Sequence, residues 1–398
     1  MKKYDAVISG YICVDLIPDF KKNKSATSIF EVLKPGKLIE IDGLHATLGG
    51  VVANTGIAMK KFSQNVFLNG AIGDDFIGKI AKRWLDDYAL KGDIKIMKKE
   101  GTAFGLVIAP PGVDRIFLES LGCSQLFDNS CIDFDTIAQS RLFHFGYPPL
   151  LKQFYLNEGT QLIDMFSEVQ RAGVVTSMDF SLPDNESESG KINWPKILKR
   201  VLPHTDIFVP SLEEALQIMM PSAYTEIQAT AGGNEIIDFI PIETIREIGQ
   251  RIIDAGVKIA LIKAGHRGAF LWTNDITAIS ENSGFDLHRG HWNFRELWCD
   301  AYPVEYSKIK SASGAGDTAA AAFLSAILNG ESPESSLQYA TIAGRNNLYC
   351  YNIHDELPGW PEMTSGIKVE VNPVVNLKQL KNNNLPGVRR NPVFKKQI

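Results

Sequence analysis

Residues 311–330 read SASGAGDTAAAAFLSAILNG. Gly314, Ala315 and Gly316 are small enough to bring main-chain amides close to a ligand. Asp317 follows directly. The apolar run from Thr318 to Leu328 is long enough for about three helical turns, and Asn329-Gly330 is a helix stop. The first N–H groups of such a helix have no partner within it and sit at the positive end of its dipole. That makes a seat for an anion, most often a phosphate. A carboxylate at the same helix start opposes a phosphate unless the chemistry needs a base there. Phosphoryl transfer does: an aspartate takes the proton of an attacking hydroxyl while amides hold the transferred group. The competing reading is plainer. Asp317 then only complements the dipole, and the small residues let the helix pack closely on a sheet. The rest of the chain has to choose between them.

Upstream, apolar runs alternate with amphipathic ones. Tyr4 to Val14 reads as a buried first strand. Pro18 to Asp42 is irregular. Gly49-Gly50 opens a helix through Lys61, and Asn65 to Ile72 is a strand. Asp74 or Asp75 caps the next helix, where Phe76, Ile80, Trp84 and Tyr88 predict one buried stripe. Period-two alternation at Phe104, Leu106, Ile108 and then Ile116, Leu118, around Pro110-Pro111-Gly112, predicts a hairpin in a separate small sheet. Strands follow at Arg141–Tyr147, Val174–Asp179, Asp206–Val209 and Lys258–Lys263. Helices lie between, at about Thr160–Arg171, Trp194–Val201, Glu213–Met219 and Glu243–Ala255. The alternation predicts an α/β fold: a mostly parallel sheet with helices on both faces. Ligands then belong at the carboxyl ends of the strands. Glu281 to Tyr306 is aromatic-rich and less regular. Ser332-Pro333 starts a helix through about Asn347. Residues 361–398 read as a basic tail, extended or partly disordered.

The 398 residues are 44% hydrophobic and 22% charged, with net charge −5. That composition suits a globular enzyme and gives no basic surface for nucleic acid. Cys13, Cys123, Cys131, Cys299 and Cys350 are scattered, so free thiols in a reducing cytoplasm are expected. No apolar run is long enough for a membrane span. Gly73 to Lys79 matches GxxxxGK, but Ile80 stands where a P-loop needs a hydroxyl. His288 and His291 form HxxH without the intervening glutamate or a third ligand.

What remains is Asp15, Gly49-Gly50 with Asn54, Asp179, Glu214, Gly265, Gly268 and Gly314–Asp317. In this order, with GGVVANTGIA at 49–58, GAIGDDFIGK at 70–79 and GAGDT opening an Ala-rich helix, the chain resembles the PfkB family of carbohydrate kinases, also called ribokinase-like. The likeness runs from about Tyr4 to Trp360. It implies a three-layer α/β/α domain over residues 1–360, with a β-sheet lid from about 16–45 and 95–127. It implies that Asp317 is the base and the amides of Gly314, Ala315 and Gly316 an anion hole. Asp15, Gly49, Gly50 and Asn54 would hold the sugar, with Arg115 reaching from the lid. Glu214 would order magnesium-bound water. Lys263, Gly265 and Gly268 would lie beside the nucleotide phosphates, and Asn346 or Asn347 near the adenine. Three stretches differ from the usual family residues: Ser311-Ala312-Ser313, Ser211, and Gly122-Cys123-Ser124-Gln125.

The expected protein is therefore an ATP- and Mg2+-dependent, cytoplasmic phosphotransferase acting on a hydroxyl of a small sugar or related polyol, with a homodimer formed through the lid. No nucleic-acid or membrane partner is expected. A nucleoside kinase on the same fold is the nearest alternative. A sugar- or nucleotide-binding protein without catalysis is the alternative from another class.

Overall fold

The structure is a computed structural model that describes residues 2–20, 28–110, 116–282, 285, 287–369 and 373–379. Its strands are β1 (Tyr4–Gly10), β2 (Cys13–Phe20), β3 (Ile41–Gly49), β4 (Val66–Gly73), β5 (Gly92–Met97), β6 (Phe104–Ile108), β7 (Ile116–Ser120), β8 (Ser140–Gly146), β9 (Val175–Asp179), β10 (Ile207–Phe208), β11 (Ile259–Lys263), β12 (Ala269–Thr273), β13 (Glu296–Cys299) and β14 (Val374–Asn376). The longer helices are α1 (Gly50–Lys61), α2 (Phe76–Asp87), α3 (Lys152–Arg171), α4 (Trp194–Val201), α5 (Leu212–Met219), α6 (Pro221–Ala231), α7 (Ile242–Asp254), α8 (Ala315–Leu328), α9 (Pro333–Asn347) and α10 (Trp360–Val369).

The large sheet runs β14-β13-β12-β11-β10-β9-β8-β1-β4-β5, parallel from β5 to β11 and antiparallel from there to β14. Its central strands are continuous apolar runs because both faces are covered. One set of helices, α1, α8, α9 and α10, packs together; α3, α4, α5, α6 and α7 form a second set. Helix α8 is buried on nearly every side, as its unbroken Ala-rich sequence requires. Its end is held as expected: Gly330, at φ +75°, donates to Ile327 O and Glu331 N donates to Ala326 O, both at 3.0 Å.

A second sheet, β3-β2-β6-β7, stands apart from the first. The chain crosses between them in two residues, Tyr11 and Ile12. The expected single strand Tyr4–Val14 is thus two strands. Gly10, at φ +126°, makes the break: a Cβ there would lie 2.3 Å from Gly146 O. The small sheet takes residues 13–20, 41–49, 104–108 and 116–120. Residues 92–97 pair instead with β4 at the edge of the large sheet.

Three local expectations are corrected. In α2 the buried face is Gly78, Ala81 and Leu85, while Phe76 is 77% exposed. Four-residue spacing drifts about 40° per step around a 3.6-residue helix, so Ile80, Trp84 and Tyr88 lie half-buried at the margin of that face and Phe76 falls off it. Helix α3 starts before Thr160 but leaves helical geometry at Leu156–Gly159. The segment read as a tail supplies most of α10 and β14, which closes the antiparallel edge on β13. Residues 111–115, with the Pro111-Gly112 turn and Arg115, and the asparagine run 382–384 lie outside the described residues.

Candidate active site

Helix α8 begins at a turn that only glycine makes easily. Gly314 is its N-cap in the left-handed region at φ +73°. The amide of Ala315 reaches Ala312 O at 3.4 Å. The next amides, of Gly316 and Asp317, belong to the first turn and have no acceptor inside the helix. The loop before them is anchored from α9. Asn347 Nδ2 donates to Ser313 O at 2.8 Å, and Thr318 Oγ1 donates to Asn347 Oδ1 at 2.8 Å. Both polar groups of Asn347 are therefore engaged in shaping the helix start. Asn346 receives a 3.4 Å hydrogen bond from its neighbour Arg345.

Asp317 is 2% exposed. Tyr147 Oη donates to Oδ1 at 2.7 Å and Asn54 Nδ2 donates to Oδ2 at 2.9 Å. The carboxylate is thus fixed at both oxygens by groups from β8's end and α1. Burial pushes its pKa above the usual carboxylate range; Lys263, Asn54 and Tyr147 oppose that. Tyr147 holds its place at a cost, since it is a non-glycine residue at φ +66°. Prolines 148 and 149 follow it and have no N–H to donate to a ladder, so β8 ends at this point.

On one side of the helix start lies a cavity lined by Asp15, Thr47, Leu48, Asn54, Ser313 and Tyr351. Ser313 Oγ donates to Asp15 Oδ2 at 3.2 Å, and Cys13 Sγ lies 3.6 Å from Oδ1. Burial lifts Asp15 to about 6. Gly49 and Gly50 are required by crowding. A Cβ on Gly49 would lie 2.6 Å from the Asp15 carboxylate, and Gly50, at φ +76°, would put one 2.6 Å from Tyr11 O.

On the other side, Lys263 Nζ bonds both oxygens of Asp179, at 2.8 and 2.7 Å. A Cβ on Gly316 would lie 3.5 Å from that ammonium, so the helix start opens toward it. Burial disfavours the Lys263 charge, yet Asp179 and Glu214 outweigh this and raise its pKa. Glu214 closes a capping box with Ser211: Ser211 N donates to Glu214 Oε2 at 2.7 Å, and Glu214 N donates to Ser211 Oγ at 3.3 Å. Burial lifts Glu214 to about 7. Hard carboxylate oxygens beside an anion seat suit Mg2+ held through water. Gly265 and Gly268 shape the β11–β12 turn at φ +51° and +104°, and a Cβ on Gly268 would strike Cys299 O at 2.0 Å.

The structure brings Asp15, Asn54, Asp317, Lys263 and Glu214 around one helix start. Tyr147 and Tyr11 were not singled out by sequence, and Ser313 stood out only as part of a stretch that differs from the usual family residues. Tyr147 had a signal, the Pro-Pro pair directly after a strand at the sheet's carboxyl edge. His288 and His291 stay near each other, 5.7 Å between ring centroids, but no cluster able to hold a metal exists among the described residues. No helix among them is long and apolar enough to cross a membrane, and all five cysteines are free.

This is the layout of an α/β protein with a large, mostly parallel sheet, a small separate sheet and a helix that starts at a glycine turn. The model for pfkB family carbohydrate kinases matches residues 5–352, and the chain belongs to that family. A ribokinase of Arabidopsis thaliana is 22% identical over 345 residues, covering 84% of this chain and 75% of that one. A solved structure of Arabidopsis thaliana ribokinase, complexed with ribose and ATP, superimposes with a TM-score of 0.65 at 18% identity, over 92% of this chain and 99% of that chain. An Escherichia coli structure, described as a ribokinase II with ATP and Mg2+, gives a TM-score of 0.66 at 18% identity, over 92% and 100%. The nucleoside kinase of Methanocaldococcus jannaschii gives 0.62 at 15%, over 93% and 100%. These structural likenesses establish the fold.

Proposed function

We propose that the protein transfers the γ-phosphoryl group of ATP, with Mg2+, to a hydroxyl of a small sugar or related polyol. One observation carries this reading. A buried carboxylate, held at both oxygens, sits in the first turn of a glycine-started helix beside a cavity to which Asp15, Asn54 and Ser313 present polar groups. Bound MgATP supplies the phosphoryl group and the positive charge of the metal. Asp317 accepts the proton of the acceptor hydroxyl. The amides of the Gly314–Asp317 turn, those of Gly316 and Asp317 foremost, meet the charge of the transferred group, and Lys263 adds to them. Asp15 and Asn54 orient the acceptor. Glu214 holds the metal through water. The small sheet acts as a lid that excludes water from the transfer. Exposed Leu44, Ile116 and Leu118 on that sheet support a homodimer formed through it.

A nucleoside acceptor is the second reading. The Methanocaldococcus jannaschii nucleoside kinase shares the fold, and Tyr351 of the cavity lining forms an aromatic pair, stacked on His45 with ring centroids 4.2 Å apart. A panel of sugars, polyols and nucleosides, read by ADP release, separates the two. Asp317→Asn is expected to keep its fold and lose about a hundredfold or more in kcat on the best acceptor. Near-native turnover by that variant rejects the assignment. Acceptor binding without any ADP release by the unaltered protein points to a binding protein instead.

A further inference from the structure

The register of the small sheet aligns four residues across its strands. Thr47 on β3 pairs with Asp15 on β2, Asp15 with Gly105 on β6, and Gly105 with Glu119 on β7. Paired residues share one face of a sheet, and this face looks toward the helix start, since Asp15 lines the cavity there. Gly105 stands between the two acids. A Cβ at that position would lie 3.0 Å from Asp15 Oδ1, so the gap is floored by bare backbone. Two strand spacings put the backbones of Asp15 and Glu119 about 10 Å apart. Glu119 is held toward the same space by Tyr11, whose Oη donates to Oε1 at 2.6 Å, and Tyr11 in turn packs against Tyr147, ring centroids 6.4 Å apart. Glu119 Oε1 thus has one protein donor, and the residue is exposed to solvent.

We propose that Glu119 is a specificity residue of the acceptor site, which with Asp15 selects an uncharged polyhydroxylated ring and rejects acceptors that carry a phosphate or carboxylate. The proposal rests on the kinase reading above. Its chemistry is direct. An ionised carboxylate only accepts hydrogen bonds, and adjacent hydroxyls of a sugar supply donors to each wall of the slot. A second anion in the slot would face Asp15, Glu119 and Asp317 together, and an unfavourable charge against the wrong partner is how a site excludes it. Lys263 does not line this cavity; it faces Asp179 on the other side of the helix start, so its ammonium is directed away from the slot.

The test uses the full chain and paired acceptors: D-ribose with ribose 5-phosphate, D-fructose with fructose 6-phosphate, and D-glucose with gluconate. Binding is measured by calorimetry without nucleotide, and turnover separately by ADP release. The unaltered protein is expected to prefer the neutral member of a pair by about a hundredfold. Glu119→Gln is expected to weaken neutral binding about tenfold and to narrow the preference, with the KM for ATP unchanged. A phosphorylated acceptor whose reactive hydroxyl is merely blocked would be rejected equally by both proteins. Neutral binding unaffected by Glu119→Gln, or a native preference for the anionic member, overturns the proposal. Glu119-dependent binding of neutral sugars without turnover upholds the recognition and rejects the kinase reading.

Discussion

The two sides of the α8 start hold their polar groups by different means. On the cavity side Asp15, Ser313, Asn54 and Tyr147 are joined by single hydrogen bonds between hydroxyls, an amide and carboxylates. On the far side one ammonium faces Asp179, Glu214 and Asp317. The first arrangement selects by geometry, since each donor and acceptor has a direction. The second is a balance of charge, with more acid than base in a buried space. It accommodates a cation with its phosphates far more readily than it tolerates losing its lysine. In the proposed reaction the first side reads the acceptor and the second carries MgATP, with Asp317 belonging to both.

The strongest way to break this contrast is Lys263→Met. Removing one partner of a buried ion pair leaves the others uncompensated and is expected to cost about 3–5 kcal/mol of stability, measured by urea unfolding. The side chain of Lys263 is 12% exposed and that of Asp179 fully buried, so solvent cannot compensate. A loss below about 1 kcal/mol, as for exposed pairs, would show the far side is not charge-balanced.

Tyr147→Phe sharpens the contrast from the middle. Hydrogen bonds to charged groups contribute about 1.5–3 kcal/mol, so kcat is expected to fall about tenfold. The pH profile supplies the sign. Burial raises the pKa of Asp317 and the Tyr147 hydrogen bond lowers it. Without that bond the base stays protonated to higher pH, and the acid limb of kcat moves upward. Lys263 from β11, Asp179 from β9 and Asp15 from β2 remain to set the rest of the field, with Glu214 beyond. A fall in kcat with the acid limb unmoved would reduce Tyr147 to a packing residue.

The smallest effect is expected for Asn54→Ala. One hydrogen bond is worth about 1 kcal/mol, so the acceptor KM should rise roughly fivefold while the KM for ATP stays constant. An equal rise in both would erase the distinction between the sides.

Much of the frame was legible because it is locally encoded. The helix start at Gly314–Asp317, its stop at Asn329-Gly330, the parallel strands and the Ser332 cap each follow from a few adjacent residues. The edge strands β3, β5 and β14 were not legible. Half-exposed pairs carry weak alternation, and their existence depends on a neighbour to bond. The same holds within the site. Tyr147 is marked in the sequence only by the two prolines that follow it, and its left-handed backbone at β8's end is what aims the phenol at Asp317.

The amino-acid order by itself determined that a carboxylate would stand in the first turn of a buried helix with bare amides before it, because small residues, helix propensity and apolar content act over a handful of positions. Only the tertiary structure decided which groups meet that carboxylate. Asn54 and Asp317 are 263 residues apart, Tyr147 and Asp317 170, and Lys263 and Asp179 84. Hydrogen bonds and ion pairs act over a few ångströms of space, whatever the distance along the chain, so no local pattern announces them.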